Sequence, residues 1–453
     1  MIFSVPDYAA AAISMLAGAG FHAYPVGGCV RDTLMGGSPH DWDLCTDALP
    51  EQMLKVFRNE RTADTGLKHG TLTLILDGKP IEITTFRADG AYIDSRHPDS
   101  VTFTSSLRED LARRDFTVNA MAYDPVTGEV VDPFGGKKDL KNGILRAVGV
   151  PENRFREDAL RILRGVRFSA RLGFGIEDET FSAMERLCGQ LKLISIERVF
   201  QELCGLLSAK DPEPVLLGCK NIIFEVIPEL KPEDGCLQNS IYHDRDVWRH
   251  TAHCVASAEN TLTLRWAALL HDIGKPCCRE TDAGGQDHFR GHQEAGAKIT
   301  KQIMERLKAP NALADSVYTL VRHHDITLSE EIIWPLLSKL GSEAFDGLLK
   351  LKYADLKAHA EWVRPRADGL VVFSAIKEQI IGDHLPLSVK DMELKGEDIA
   401  ALGAKGKEIG HVLKNVFSRV TVRECGCTRD ELLKAAHQEL ADLRLSANQK
   451  QTD

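Results

Sequence analysis

The stretch "GGSPHDWDLCTD", residues 36–47, sets Asp41 and Asp43 one residue apart within a strand-like run. On a strand, alternate side chains share a face, so the two carboxylates stand side by side while Trp42 and Leu44 turn the other way. Like charges held together repel, and a cation relieves the repulsion. Just upstream, "AYPVGGCVRD" reads as a short apolar strand, a double-glycine turn and a helix. Gly27 and Gly28 let the backbone approach a phosphate chain closely, the helix start offers amide donors, and Arg31 adds positive charge. The combination outlines a nucleoside-triphosphate site in which Asp41 and Asp43 would hold Mg²⁺ against the triphosphate and an attacking hydroxyl.

Working outward, "TLTLIL", "DGKP" and "IEITTF" predict a hairpin turning at Asp77-Gly78. Glu82 points away from the face of Ile81 and Ile83. It is either a third acid that orients or deprotonates the attacking hydroxyl or an ordinary exposed strand glutamate. Up to about residue 140 the chain alternates helix-like and strand-like segments, and from Glu152 onward apolar residues recur at helical spacing. A histidine-rich block runs from Tyr242 to Asp355, and a polar helical tail follows. The expected fold is α+β: a head with a small mixed sheet and helices (1–145), a helical neck (146–240), a histidine-rich helical domain (241–370) and a helical body or tail (371–453).

At 453 residues the chain exceeds one ordinary core, and its 43% hydrophobic and 27% charged content is that of a soluble globular protein. No apolar run reaches bilayer-spanning length and "MIFSVPDYAA" lacks a secretory pattern, so a cytoplasmic location without a membrane partner is expected. The 11 cysteines are scattered and form no pair of CxxC motifs, which predicts reduced thiols. A net charge of −10 excludes a surface that coats nucleic acid throughout. Local phosphate binding is still available in "RFREDALRILRGVRFSAR", residues 154–171, with six arginines against two acids.

The motifs GGCVRD, DWDLCT, RRDFTVNAMAYD (Arg113–Asp124) and REDALRILRGVRF resemble, in order and spacing over roughly the first 230 residues, those of the class II tRNA nucleotidyltransferases. These are the CCA-adding enzymes of the polymerase β-like nucleotidyltransferase superfamily. The resemblance implies template-independent addition of CCA to the 3′ end of tRNA from CTP and ATP with Mg²⁺. It assigns base selection to Asp158 and Arg161, nucleotide or phosphate contact to Arg164 and Arg167, ribose or triphosphate contact to Arg114, and a bracing role to Asp115 and Asn119. The base-selecting chemistry is independently sound. Asp158 and Arg161, three residues apart, are expected on one helical face, where a carboxylate and a guanidinium match the amine donor and ring acceptor shared by cytosine and adenine. Guanine and uracil present the reverse pattern. Residues 87–103 resemble the flexible loop on which the switch from C to A addition depends, and the stretch is ungapped. The tail "KGEDIAALGAKGKEIGHVLKNVF" resembles the tRNA-binding end of the family, which makes Lys405 and Lys407, beside a helix N-terminus, candidate RNA contacts.

In the histidine-rich block, "VWRHTAHC", "ALLHDIGKP", "FRGHQEAGA", "LVRHHD" and "KYADLKAH" follow the order of the HD phosphohydrolase superfamily, which they resemble. His250, His271, Asp272 and Asp355 match its defining ligands. His292 and His324 match further ligand or phosphate positions, with His323 an alternative to the latter. Such a set suits a divalent transition metal or Mg²⁺. The resemblance implies hydrolysis of 2′,3′-cyclic phosphates or 2′-phosphates at RNA ends. Three other readings compete. Bacterial poly(A) polymerases share most of the head motifs, but a basic RNA-tracking tail is expected of them and the pI is about 5.9. A partial, CC- or A-adding, enzyme is the second, and CC-only relatives are shortened near residues 87–103. An RNA-binding regulator with a dead head would not need Asp41, Asp43, Asp158 and Arg161 intact.

Overall fold

Alternation of apolar residues around Asp43 builds the central sheet. In the structure, a computed structural model that describes residues 3–64, 66–89 and 101–449, the strands are β1 (Ala23–Pro25), β2 (Asp43–Thr46), β3 (Arg61–Ala63), β4 (Thr71–Leu76) and β5 (Lys79–Thr85). They form one mixed sheet in the order β1-β2-β5-β4-β3, with β2 parallel to β5 and the other neighbours antiparallel. Asp77 and Gly78 both take positive φ, 49° and 73°, as a two-residue hairpin turn of the favoured hand requires. Trp42, Leu44, Ile81 and Ile83 bury one face of the sheet against Ala9, Ile13 and Leu16 of the helix Asp7–Gly18. Asp43 and Glu82 are left on the open face.

The strand starts later than expected. Asp41 and Asp43 are exposed and Trp42 is buried, as the alternation requires, but β2 begins at Asp43 and Asp41 lies just before it. On one side β1 ends at Pro25, opposite Leu44. On the other, continuing the Asp43↔Glu82 register back by two residues would set Asp41 opposite Pro80, which has no N–H to donate. Most of the 87–103 segment lies outside the described residues; its ends, Arg87–Asp89 and Val101–Phe103, pair as an antiparallel ribbon.

The chain divides into two compact units, Met1–Lys231 with Arg306–Ala309 and Pro232–Glu305 with Pro310–Asp453. The first carries the sheet and, after it, the helices Pro151–Glu157, Leu160–Leu172, Asp178–Leu187 and Ile196–Leu207. The second is helical apart from the short ribbon Glu280–Thr281 and Asp287–His288. Its centre is built by the helices Val247–Ser257, Leu262–Leu270, Asn311–His323 and Ser342–Ala358. All the cysteines are free thiols. No described helix is long and apolar enough to cross a membrane.

Candidate active sites

A polar cavity of about 560 Å³ opens on the head, and every head residue singled out from the sequence lines it except Glu82. Glu82 lies beside Asp43 across the β2–β5 pairing. Asp43 opens to the cavity but is crowded by protein on its other sides. This loss of water, then Glu82 and Asp41, push its pKa up to about 6 against the pull of Arg114. Gly27 has φ 75°, and a Cβ there would sit 3.0 Å from Arg114 Nη1. The glycine therefore keeps both the turn and the space in front of the arginine.

Along the cavity wall runs a chain of buried and half-buried polar groups. Arg31 Nη1 donates to Asn119 Oδ1 at 2.5 Å, Asn119 Nδ2 donates to Asp115 Oδ1 at 3.1 Å, and Arg164 reaches Asp115 Oδ2 from Nε at 2.9 Å and from Nη2 at 2.8 Å. Burial opposes ionisation of Asp115, but Arg164 and Asn119 outweigh it and hold the carboxyl near 2. Asp115 and Asn119 thus link Arg31 to Arg164 through side-chain contacts.

Asp158 and Arg161 do not share a helical face. Asp158 is extended (φ −145°, ψ 103°) at the break between the helices Pro151–Glu157 and Leu160–Leu172, and its Oδ1 accepts from Leu160 N at 3.0 Å. A short acidic side chain satisfies the free amides of a helix start better than it continues a helix, and that preference overrode the simple spacing. Both residues still line the cavity, each with an internal partner: Arg198 Nη2 bonds Asp158 Oδ2 at 2.8 Å, and Arg161 Nη1 bonds Glu157 Oε2 at 2.6 Å.

The arginine-rich stretch is likewise less free than its charge suggested. Arg154 and Arg161 pair with Glu157, Arg164 with Asp115, and Arg167 with Glu202 at 2.5 Å. Sequence reading passed over two contributors. Asp110 is fully buried and pairs with Arg113 at 2.8 Å and Arg114 at 3.3 Å; its i,i+3 and i,i+4 spacing to both was a visible signal. Arg198 comes from 40 residues away in the chain, and nothing local marked it. Lys405 is exposed in the loop before the helix Lys407–Thr421, and the exposed Lys407 is that helix's first residue.

The second unit holds a dense histidine–aspartate cluster. His250 Nε2 lies 3.3 Å from His271 Nε2 and 3.0 Å from Asp355 Oδ1, and His271 Nε2 lies 3.1 Å from Asp272 Oδ2. His292 Nε2 and His324 Nε2 are 3.1 Å apart, each 3.6 Å from Asp272 Oδ1. His324 therefore joins the cluster, whereas His323 turns its Nδ1 to Thr319 O. The donor set fits a cation. The Nδ1 atoms of His250, His271, His292 and His324 meet the carbonyls of Ala358, Ala268, Phe289 and Val321 at 2.7–3.3 Å. A carbonyl only accepts, so each Nδ1 carries a proton and each Nε2 turns into the cluster, where a bound metal would take its lone pair in place of any proton. Three groups could hold a cation among the described residues: His243/His250/His359, and the triads His250/His271/Asp272 and Asp272/His292/His324, which share Asp272. Glu233, another residue the sequence did not flag, is fully buried nearby; burial first and then Asp272 push its carboxyl up to about 8.

The mixed sheet, the carboxylates on its open face and the arginine-lined cavity define a nucleotidyltransferase head, and the histidine–aspartate cluster defines an HD domain. Residues 23–146 match the family of the poly A polymerase head domain, 173–233 that of the probable RNA and SrmB-binding site of polymerase A, and 241–362 the HD domain. The chain is 43% identical over 431 residues to the CCA-adding enzyme of Lactiplantibacillus plantarum, covering 94% of each sequence. It belongs to the CCA-adding enzyme family. Identity is 55% to the Streptococcus pneumoniae enzyme over 192 residues, 42% of this chain and 47% of that one. The crystal structure of the Bacillus stearothermophilus CCA-adding enzyme in complex with CTP superposes with a TM-score of 0.70 at 27% identity, covering 97% of this chain and 98% of that one.

Proposed function

We propose that the head adds CCA to the 3′ end of tRNA, using CTP and ATP without a nucleic-acid template. The observation that carries this reading is the single cavity shared by Gly27 and Gly28, the carboxylates Asp41 and Asp43, and the pair Asp158 and Arg161. Asp41 and Asp43 would hold Mg²⁺, which when bound supplies charge neutralisation at the triphosphate. Gly27 and Gly28 bring backbone close to the phosphates, and Arg114 offers them a guanidinium. Asp158 and Arg161 exchange their internal partners for the edge of cytosine or adenine, while Asp115 and Asn119 keep Arg31 and Arg164 in place. Glu82 acts beside Asp43 as the third acid. The tRNA is gripped through Lys405 and Lys407 in the 371–453 segment, and the neck, 146–240, supplies base recognition. Incubation of a tRNA lacking its 3′ end with all four nucleotides tests this reading. Three additions ending in A are expected; a long A tail would assign the chain to poly(A) synthesis instead.

The HD domain supports a second activity, because two ligand triads share one carboxylate. A divalent metal held there supplies the Lewis acidity for hydrolysis of 2′,3′-cyclic phosphates or 2′-phosphates at RNA ends, a repair step before CCA addition. Opening of the cyclic phosphate to a monoester at such RNA ends, or release of inorganic phosphate from a 2′-phosphate, each lost in His271→Ala, checks it.

A further inference from the structure

An exposed aromatic pair adjoins the histidine–aspartate cluster, and metal binding does not need it. The rings of His243 and His359 stand 4.4 Å apart, each 5.2 Å from the ring of His250. Tyr242 directly precedes His243 and Trp362 follows His359 by three residues, and their ring centroids lie 5.4 Å apart. Two hydrogen bonds fix this corner, Ala360 N to Tyr242 O at 2.9 Å and Trp362 Nε1 to Ile241 O at 3.0 Å. Trp362 is thus pinned by its polar edge while 51% exposed, and Tyr242 is 39% exposed. A tryptophan held rigid at the surface forgoes burial that a core would give it, and such patches mark contact sites. Arg366 lies over both rings, 5.0 Å from Trp362 and 5.7 Å from Tyr242. Among the described residues no ion pair joins a carboxylate to it, and Asp244 is engaged by Arg245 and Arg364.

Rigid aromatic faces, an unneutralised guanidinium and an adjacent centre for phosphate chemistry fit a planar base carried on a phosphorylated ribose. We infer that Tyr242, Trp362 and Arg366 form a stacking platform that selects, for the HD centre, the terminal nucleotide of an unpaired RNA end. The inference rests on the phosphohydrolase reading above and adds what that site recognises. In the reaction a water oxygen bonds to phosphorus, one ring P–O bond of the 2′,3′-cyclic phosphate breaks, and the freed ribose oxygen takes the proton. No electron donor or acceptor is needed.

The test uses the full chain loaded with Mn²⁺ and two probes, adenosine 2′,3′-cyclic phosphate and the base-free methyl riboside 2′,3′-cyclic phosphate. The unsubstituted protein should favour the adenosine probe about tenfold in KM and in equilibrium dialysis, as expected for stacking of one base. In Trp362→Ala and Tyr242→Ala that preference should collapse, the KM for the adenosine probe rising to that for the base-free probe, and Trp362→Phe should restore most of it. An equal preference for both probes, or a preference that survives both alanine variants, overturns the platform and leaves hydrolysis standing. If neither probe is hydrolysed the phosphohydrolase reading falls, and dialysis alone decides: a base preference lost in Trp362→Ala supports the platform, and its absence overturns it.

Discussion

Asp43 and Glu82 stand in register on the adjacent parallel strands β2 and β5, and the Glu82 carboxylate helps to raise the pKa of Asp43. Asp43, pushed up to about 6, binds a cation only when deprotonated, so Mg²⁺ affinity should fall as pH drops through that value. Glu82→Gln removes one source of the shift and should move the fall to lower pH. Mn²⁺ titration followed by electron paramagnetic resonance between pH 5 and 8 would read both curves. Coincident curves would mean that Glu82 is not felt at the metal site. Asp43→Ala should lower nucleotide addition by roughly 10³-fold, the scale of lost electrostatic stabilisation, without lowering the melting temperature.

Asp158 and Arg161 meet the cavity with their charges already engaged by Arg198 and Glu157. Under the proposed reading, a bound base displaces those partners, and only one that returns equivalent hydrogen bonds repays the exchange. Asp158→Ala and Arg161→Ala should therefore erode selection itself. Incorporation of UTP or GTP relative to CTP should rise by about 10- to 100-fold, matching 1–3 kcal/mol of lost discrimination. Single-nucleotide kinetics with all four triphosphates measure the ratio. Arg198→Ala frees Asp158 and should lower the KM for CTP.

The parts of this molecule readable from sequence are those whose physics is local. The hairpin at Asp77-Gly78 follows from two positive φ values, and the face of Asp43 follows from the period of a strand. Motif order also placed the cavity residues and the histidine cluster. What failed depended on distant partners. The start of β2 is set by where β1 and β5 can pair, and the break at Asp158 by its preference for capping a helix. Arg198 and Glu202 lie on the helix Ile196–Leu207, and only the fold brings them to Asp158 and Arg167. Local charge counting made the arginine stretch look free; tertiary carboxylates neutralise much of it.

Asp115 anchors Arg164 through two hydrogen bonds and Asn119 through a third. Asp115→Ala should destabilise the head by about 2–3 kcal/mol, less than the 3–5 kcal/mol of a fully buried pair because Arg164 keeps part of its side chain in solvent. Its carboxyl is held near 2 in the fold against an ordinary 3.8. A depressed carboxylate stabilises above its unfolded value and loses that contribution as pH falls toward the folded one. Urea midpoints taken from pH 6 down to pH 2 should therefore fall more steeply in the unsubstituted protein than in Asp115→Asn. Parallel curves would remove Asp115 from the acid limb.

Asp272 belongs to two of the three groups of the HD cluster that could hold a metal, the two without His243 and His359, whereas His324 belongs to one. Metal stoichiometry should follow that layout: two divalent ions per chain in the unsubstituted protein, one in His324→Ala and none held tightly in Asp272→Ala. Protons compete for the same atoms. Burial pulls the His271 pKa down, but Asp272 and Asp355 more than reverse this and push it up to about 10, so the metal-free cluster holds a proton there at neutral pH. Metal uptake must expel that proton, and affinity should rise with pH across the neutral range. Calorimetry in buffers of different ionisation enthalpy counts the protons released, and elemental analysis counts the metal. A single ion in the unsubstituted protein, retained in His324→Ala, would show that His292 and His324 bind no metal and leave His250, His271, Asp272 and Asp355 as the whole site.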